Sequence, residues 1–531
     1  MFFRGLFVTG KLSTPVFLER GVRQGCPLSL LLYVLTSEVL ANQIRKNPAI
    51  EGFLLPGAGS LQFKISQYAD DATNFVKNER SLCHLLETVK KYERGSGAKL
   101  NTTKSEAMWL GRWRANGASP FGLQWVNKLK ILGVYFSNGL VNVEEDNWRC
   151  KLDKLKRTLG LWSQRDLSFL GRGMILNVLG ASKFWHVAKV LPPPKWVSTE
   201  YKRAVWPFIW KSKSETVSRA RCVAPIARGG LNIVDFETKS SSLRLSSLSG
   251  YREGFGTCKW HFLARYFFGN RFTNLDPSFD FSSRSIPLSS EPSAFYRNCL
   301  SLLSSLRCKH GSLPADFSCK NLYSLLLDLP SAAPRSSGFW AASLRRPMNR
   351  WAAVWRKSRL KLIENKKTDL LWLIIHRAIK VRYALKTWGY KLKSDKCALC
   401  SQVETIEHCF LFCPRARAVW RHFSPYLSRL STSRFSVNSS CIFFPFSSHA
   451  SSPSFSLYCY LIATVLFWIW QTRNLATFRN SVLNADQIVN LIKKDISCRI
   501  LCAKQDEKEN FWSTGSILCK ISDTRSISFF P

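Results

Sequence analysis

Behind Pro27, the residues Leu28, Leu31, Leu32, Leu35 and Val39 recur at the spacing of one helical face, so a turn followed by an amphipathic helix is expected there. The pattern then changes period. Leu61, Phe63 and Ile65 alternate with Gln62, Lys64 and Ser66, as in a half-buried strand, and Thr73 to Val76 can pair back on it as a second strand. Asp70 and Asp71 then lie at the tip of a hairpin. A helix is expected next, capped by Ser81, carrying Leu82, Leu85, Leu86, Val89 and Tyr92, and broken at Gly95-Ser96-Gly97 before Lys99 and Asn101.

Further along, the texture separates four regions. Residues 1–140 mix strand and helix patterns, and 144–250 read as basic helices rich in Trp and Leu. A Ser/Pro-rich stretch at 282–293 lies within a connection, 251–335, of no clear fold beyond partial helix. The last region, 336–531, opens on a helix at 370–388, capped by Thr368 and stopped by Gly389, with Leu370, Ile374, Ala378, Val381 and Leu385 on one face. A Cys/His cluster follows, then a helix bearing Ala416, Val419, Trp420 and Phe423, a Ser-rich stretch at 430–456 and a final apolar helix. That helix, 457–470, falls short of the roughly 20 residues a membrane span needs, which favours burial over insertion. No internal repeat is evident.

Composition adds a class of partner. Lys and Arg number 77 against 35 Asp and Glu, a net charge of +42 on 531 residues, which calls for a polyanion nearby. Nucleic acid fits, because the cations interleave with 19 Trp, 36 Phe and 14 Tyr that can pack in a core or stack on bases. The 17 cysteines are odd in number and mostly scattered, and Arg4 and Lys11 interrupt any apolar leader, so an intracellular, reducing setting (nucleus, cytoplasm or both) is expected, with no membrane anchor.

Two constellations carry chemistry. Adjacent carboxylates at a tight turn repel one another unless cations sit beside them, which suits metal-assisted phosphoryl transfer, although Asp-Asp is also a commonplace turn pair. Cys397 and Cys400 are followed by His408 and Cys413 at a compact spacing that lets a short knuckle close four soft ligands around one zinc. The same residues could instead be core thiols, and Cys409, beside His408, is an alternative ligand.

Tyr68-Ala69-Asp70-Asp71 follows Gly21-Val22-Arg23-Gln24-Gly25-Cys26-Pro27-Leu28-Ser29 at a spacing that resembles the reverse transcriptases of non-LTR (LINE-type) retrotransposons. Ser96-Gly97-Ala98-Lys99-Leu100-Asn101, Lys104-Ser105-Glu106 and Leu132-Gly133-Val134 resemble the segments after that family's catalytic hairpin. Leu167-Ser168 with Gly171-Arg172, and Gly229-Gly230-Leu231, resemble its thumb. The Cys/His knuckle, with Ile469-Trp470 and Arg473-Asn474 beyond it, resembles the family's zinc-binding module, and the wording is most similar to the clade named for a frog transposon.

The resemblance implies an α+β fold: part of a right-hand polymerase palm at 1–140, a helical thumb at 144–250, and a mostly helical zinc-binding domain at 336–531. It makes Asp70 a ligand of catalytic magnesium with Asp71 beside it, sets Arg23, Gln24, Gly25 and Tyr68 against the incoming nucleotide and template, and offers Lys104 as a proton donor to pyrophosphate or a phosphate contact. It assigns structural zinc to Cys397, Cys400, His408 and Cys413, and names an RNA template and a DNA target or primer as partners. Leu30 stands where the family usually has a second proline. Residues 1–20 resemble the strand pair just before Arg23-Gln24-Gly25, so the strand with the family's first metal-binding aspartate, the fingers and the endonuclease would lie upstream, and this chain alone is expected not to polymerise DNA. The alternative expectation is a non-catalytic remnant that still grips nucleic acid.

Overall fold

The computed structural model describes residues 27–56, 58–212, 214–250, 258–268, 293–344, 351–360, 362–430, 435–444 and 453–502, together with short strands within 2–18 and 519–529. The protein is helix-rich, and among the described residues every sheet has only two strands. Its contacts divide it into two compact units: Met1–Lys151 with Phe184–Pro194 and Thr238–Leu326, and Leu152–Lys183 with Lys195–Glu237 and Leu327–Pro531.

In the first unit, Phe2–Arg4 pairs antiparallel with Val16–Leu18 and Phe7–Val8 with Lys11–Leu12, one long hairpin before the helix Pro27–Lys46. The strand alternation around residue 63 serves two hairpins rather than one. Gln62–Phe63 pairs with Phe53–Leu54, while Ile65–Tyr68 pairs with Asp71–Asn74, so the return strand begins two residues earlier than the apolar pattern indicated. The helix Glu79–Ser96 is capped by Asn78, whose side chain accepts from the Ser81 amide. Ser81 is instead buried in the first turn, its hydroxyl accepting from the Glu51 amide. Gly97 ends the helix at φ +70°, a left-handed conformation that a glycine adopts without a Cβ clash.

Ala41, Ile44, Ile50, Ile65, Leu82 and Leu85 form one small core here. The leucine face of Pro27–Lys46 does not join it: Leu28, Leu31, Leu32, Leu35 and Val39 are exposed, and only Ala41 and Ile44 of this helix are buried. A second core draws on the connection between 251 and 335. Trp260–Phe268, Ala294–His310 and Cys319–Leu326 are helices, and Ala264, Phe268, Leu303 and Leu322 pack with Leu245 and Leu248. Most of the Ser/Pro-rich stretch at 282–293 lies outside the described residues.

The second unit is built on Pro453–Phe478, which packs against Asn365–Ile375, Pro414–Leu430 and Ala485–Cys502. The apolar run inside it is core, with Leu461, Val465 and Leu466 fully buried. The helix expected over 370–388 is two helices, Asn365–Ile375 and Arg382–Thr387, the first beginning after Glu364 rather than at Thr368. Arg377 breaks it at φ +54°, and the Ala378 amide returns to the Leu373 carbonyl in a Schellman-type closure. An arginine holds this glycine-like position because its guanidinium pairs with Glu407 and lies 3.5 Å from the centre of the Phe339 ring.

The small motifs beyond the hairpin have local explanations. Leu132 and Gly133, both at positive φ, make the two-residue turn between Lys128–Ile131 and Val134–Ser137, matching the twist of the strands they join. Ser168 caps Phe169–Ile175 by accepting from the Gly171 amide, and buried Arg172 donates to the carbonyls of Ile209 and Leu167 at 2.5 and 2.8 Å. At Gly229-Gly230 the backbone is jammed. A Cβ on Gly230 would lie 1.7 Å from the Ala224 carbonyl oxygen, and one on Gly229 would lie 2.5 Å from the Trp355 ring. The Gly229 carbonyl accepts from Trp372 Nε1 at 2.8 Å and from His376 Nε2 at 3.1 Å, and His376 stacks on Trp355.

Candidate functional site

The acidic hairpin is set by pairing at its base and by strain at its tip. Tyr68 opposes Asp71, leaving Ala69 and Asp70 as the turn, with Ala69 at φ +52° and its carbonyl accepting from the Gln67 side chain. Ile65 plugs the base of the first strand into the small core, and Lys64 Nζ donates to the Asn47 and Arg45 carbonyls at the end of Pro27–Lys46. The turn therefore stands on a fixed base.

Both aspartates are exposed, and neither forms an ion pair or hydrogen bond through its carboxylate among the described residues. Tyr33, on the Pro27–Lys46 helix, feels the Asp70 charge: burial first, then the Asp70 carboxylate and Tyr92, push its hydroxyl above the ordinary range. Tyr68 projects from the strand end at 70 % exposure. Lys104 closes a short 3-10 turn capped by Asn101, exposed and joined by no hydrogen bond to either aspartate. Arg23, Gln24 and Gly25 lie outside the described residues. No third acidic side chain joins Asp70 and Asp71 in a cluster among the described residues. Two open carboxylates at a rigid turn can hold a hard cation and leave coordination positions free.

The second constellation is closed. Cys397 and Cys400 lie on a knuckle fastened by the Lys396 to Val403 bridge, with the Cys397 amide donating to the Gln402 carbonyl and Ser401 at φ +62°. His408 opens a π-helical turn that ends at Cys413, whose amide donates to the His408 carbonyl at 2.8 Å. That turn puts two residues five apart on one side. The ligand atoms of Cys397, Cys400, His408 and Cys413 all lie within 4.8 Å of one another, with Cys400 Sγ 3.2 Å from His408 Nε2. Tetrahedral zinc, with bonds of about 2.3 Å to sulfur, holds sulfurs just under 4 Å apart, so three thiols and an imidazole at this separation fit it.

The Leu399 amide points at Cys397 Sγ, 3.5 Å away. A hydrogen bond from the Cys413 thiol, with further help from the knuckle amides and His408, holds the Cys397 thiol down at about 4 against the opposing cost of burial, and the same bond drives Cys413 up. Cys409 belongs elsewhere: it is buried in the hydrophobic core, and burial pushes its thiol above the ordinary range.

Sequence reasoning missed what aims this knuckle. Glu404, between Cys400 and His408, is buried and accepts from Arg473 Nε at 2.9 Å, with a second bond to Arg473 Nη2 and a third from the Arg382 amide at 2.9 Å. Arg473 is buried too, on the Pro453–Phe478 helix, and rests over Trp470. Glu407, next to His408, pairs with Arg377. A buried charge is costly unless paired, so these pairs fix where the loop sits. The sequence offered one clue, two glutamates inside the ligand run between Cys400 and His408.

Comparisons with known proteins fall on these two constellations. Residues 2–136 match the reverse transcriptase (RNA-dependent DNA polymerase) family, and residues 317–420 match the family described as zinc-binding in reverse transcriptase. A curated relative, the transposon TX1 uncharacterized 149 kDa protein of Xenopus laevis, is 28 % identical over 271 residues, 49 % of this chain and 20 % of that protein. The chain thus spans about a fifth of the relative it matches.

Proposed function

We propose that the chain carries the reverse transcriptase and zinc-binding domains of a non-LTR retrotransposon protein, and that the hairpin of residues 65–74 is the metal-holding edge of a polymerase palm. The observation that carries this reading is the pair of adjacent, exposed carboxylates of Asp70 and Asp71, without a partner among the described residues, on a hairpin whose base is locked into a core. When bound there, magnesium supplies the Lewis acidity that activates a primer hydroxyl and steadies the leaving pyrophosphate.

The residues of the chain then do the positioning. Asp70 and Asp71 hold the metal. Tyr68, Arg23, Gln24 and Gly25 line the place of the incoming nucleotide and template, and Lys104 meets phosphate or gives a proton to pyrophosphate. The basic helices of 144–250 act as the thumb along an RNA template and its DNA primer. The Cys397, Cys400, His408 and Cys413 set holds structural zinc, and an intracellular setting, nucleus or cytoplasm, agrees with the free thiols described.

The test is magnesium-dependent nucleotide incorporation on an RNA template with a DNA primer, by a chain extended upstream through the strand that bears the first metal-binding aspartate. Incorporation that Asp70→Ala abolishes supports the reading, and incorporation that survives Asp70→Ala overturns it. A second reading has its own observation. Two-metal transfer in this family uses a further aspartate on an upstream strand, and among the described residues no third carboxylate joins the pair. On that reading the chain grips nucleic acid without polymerising: it binds single-stranded RNA with steeply salt-dependent affinity and incorporates nothing with Asp70 intact.

A further inference from the structure

Inside the second unit lies an open cavity of about 830 Å³ that neither constellation uses. Its walls come from the start of Phe169–Ile175, from Asn365–Ile375 and from the last turns of Pro453–Phe478. Those last turns depart from the rest of their helix. Through Leu466 the helix is core, yet Phe478 is 76 % exposed at the cavity edge, and Arg479 follows it, exposed and without an ion pair among the described residues. Gln471 stands in the wall with its side-chain amide engaged by no hydrogen bond among the described residues, while Asn474 one turn along accepts from Arg473.

Opposite them is Asp369. One of its oxygens accepts from the Phe169 amide at 2.7 Å, while the other is buried and has no hydrogen-bond partner. Burial pushes this carboxyl up to about 7, against the pull of the Phe169 amide and the Arg359 and Arg172 guanidiniums, so near neutrality it can donate as well as accept. Lys366 stands at the rim, exposed and shared with Asp166.

A flat exposed ring, a side-chain amide in the wall beside it and a rim of cations are the groups that recognise a nucleobase with its phosphate: stacking on one face, hydrogen bonds at the base edge, charge at the backbone. Resting on the nucleic-acid reading above, we propose that this cavity takes one unstacked base of a single-stranded nucleic acid, with Phe478 stacking on it, Gln471 reading its edge and Arg479 meeting the adjoining phosphate. Double-stranded segments are excluded, since a paired and stacked base cannot present its face and edge together.

The experiment uses the full, zinc-loaded chain with fluorescein-labelled single-stranded oligonucleotides, some carrying several 2-aminopurines. On the wild type, 2-aminopurine emission changes on binding, and Phe478→Ala weakens affinity about 5- to 100-fold, the usual loss of one base-to-aromatic stack, while restoring the emission of the free strand. Gln471→Ala, at a half-buried position, weakens binding less and alters preference among bases. If the wild type binds with the expected salt dependence but neither substitution alters affinity or emission, this inference is overturned and the nucleic-acid reading stands. If a duplex of the same sequence binds equally and shows the same loss with Phe478→Ala, the inference is overturned as well. If no oligonucleotide binds at all, both fall.

Discussion

The helices Pro27–Lys46 and Pro453–Phe478 are both long and apolar enough, by length and composition, to cross a membrane, and their surroundings are opposite. The second helix is mostly buried among three other helices of its unit, and the first is mostly exposed. The difference teaches that an apolar stripe states a requirement for cover without naming what supplies it. Pro453–Phe478 finds its cover within its own unit and becomes the post on which the zinc-binding knuckle is hung. Pro27–Lys46 gives its core Ala41 and Ile44 with Leu40 at the edge, yet that contact fixes the base of the acidic hairpin. One region is closed around its chemistry and the other holds its chemistry open to solvent.

The most severe way to break the closed region is to remove its metal. Structural zinc sites in small modules supply about 10–16 kcal/mol of apparent binding free energy, so chelation or Cys400→Ser should lower bound zinc and the unfolding temperature of the second unit together. Full zinc content in Cys400→Ser, measured by atomic absorption, removes these ligands from consideration. Glu404→Ala comes next. It strands buried Arg473, and a cost of about 3–5 kcal/mol in urea unfolding is expected. A smaller loss means that water reaches the guanidinium.

The pair of helices can then be set against each other directly. Leu466→Ala should cost about 2–5 kcal/mol, as for a fully buried leucine, while Leu31→Ala should change stability by no more than about 0.5 kcal/mol. Equal losses would show that the Pro27–Lys46 face is covered in solution.

The last effect appears only in acid. His376, on the helix that packs against Pro453–Phe478, is pushed down to about 4, chiefly by burial. A histidine whose folded value is depressed contributes stability that is present above its unfolded value near 6.5 and is lost as pH falls toward 4. The slope is at most about 1.4 kcal/mol per pH unit. His376→Asn should flatten that part of the stability profile between pH 6.5 and 4, and an unchanged profile would assign the acid sensitivity to other groups.

Much of the site was legible because its signals are local. Asp70 falls in the turn that strand alternation and a Tyr-Ala-Asp-Asp run place there and Asp71 opens the return strand, and a Cys-x-x-Cys knuckle needs only a few residues to define its bend. The π-helical turn that brings Cys413 to His408 was not legible, nor was the exclusion of Cys409, because which side of a short turn faces the core depends on what packs there. Asn78 took the cap expected of Ser81 for a similar reason: Ser81 is held in the first turn by the Glu51 amide, a partner 30 residues away.

By itself, then, the sequence determined the elements with a strong period, the two constellations and the charge that calls for nucleic acid, since each follows from residues within a few turns of one another. Only the tertiary structure decided which apolar helix is core, which buried charges pair across Glu404 and Arg473, and that the chain folds as two interleaved units. Those outcomes depend on free energies of burial, and burial is a property of distant neighbours that no local pattern contains.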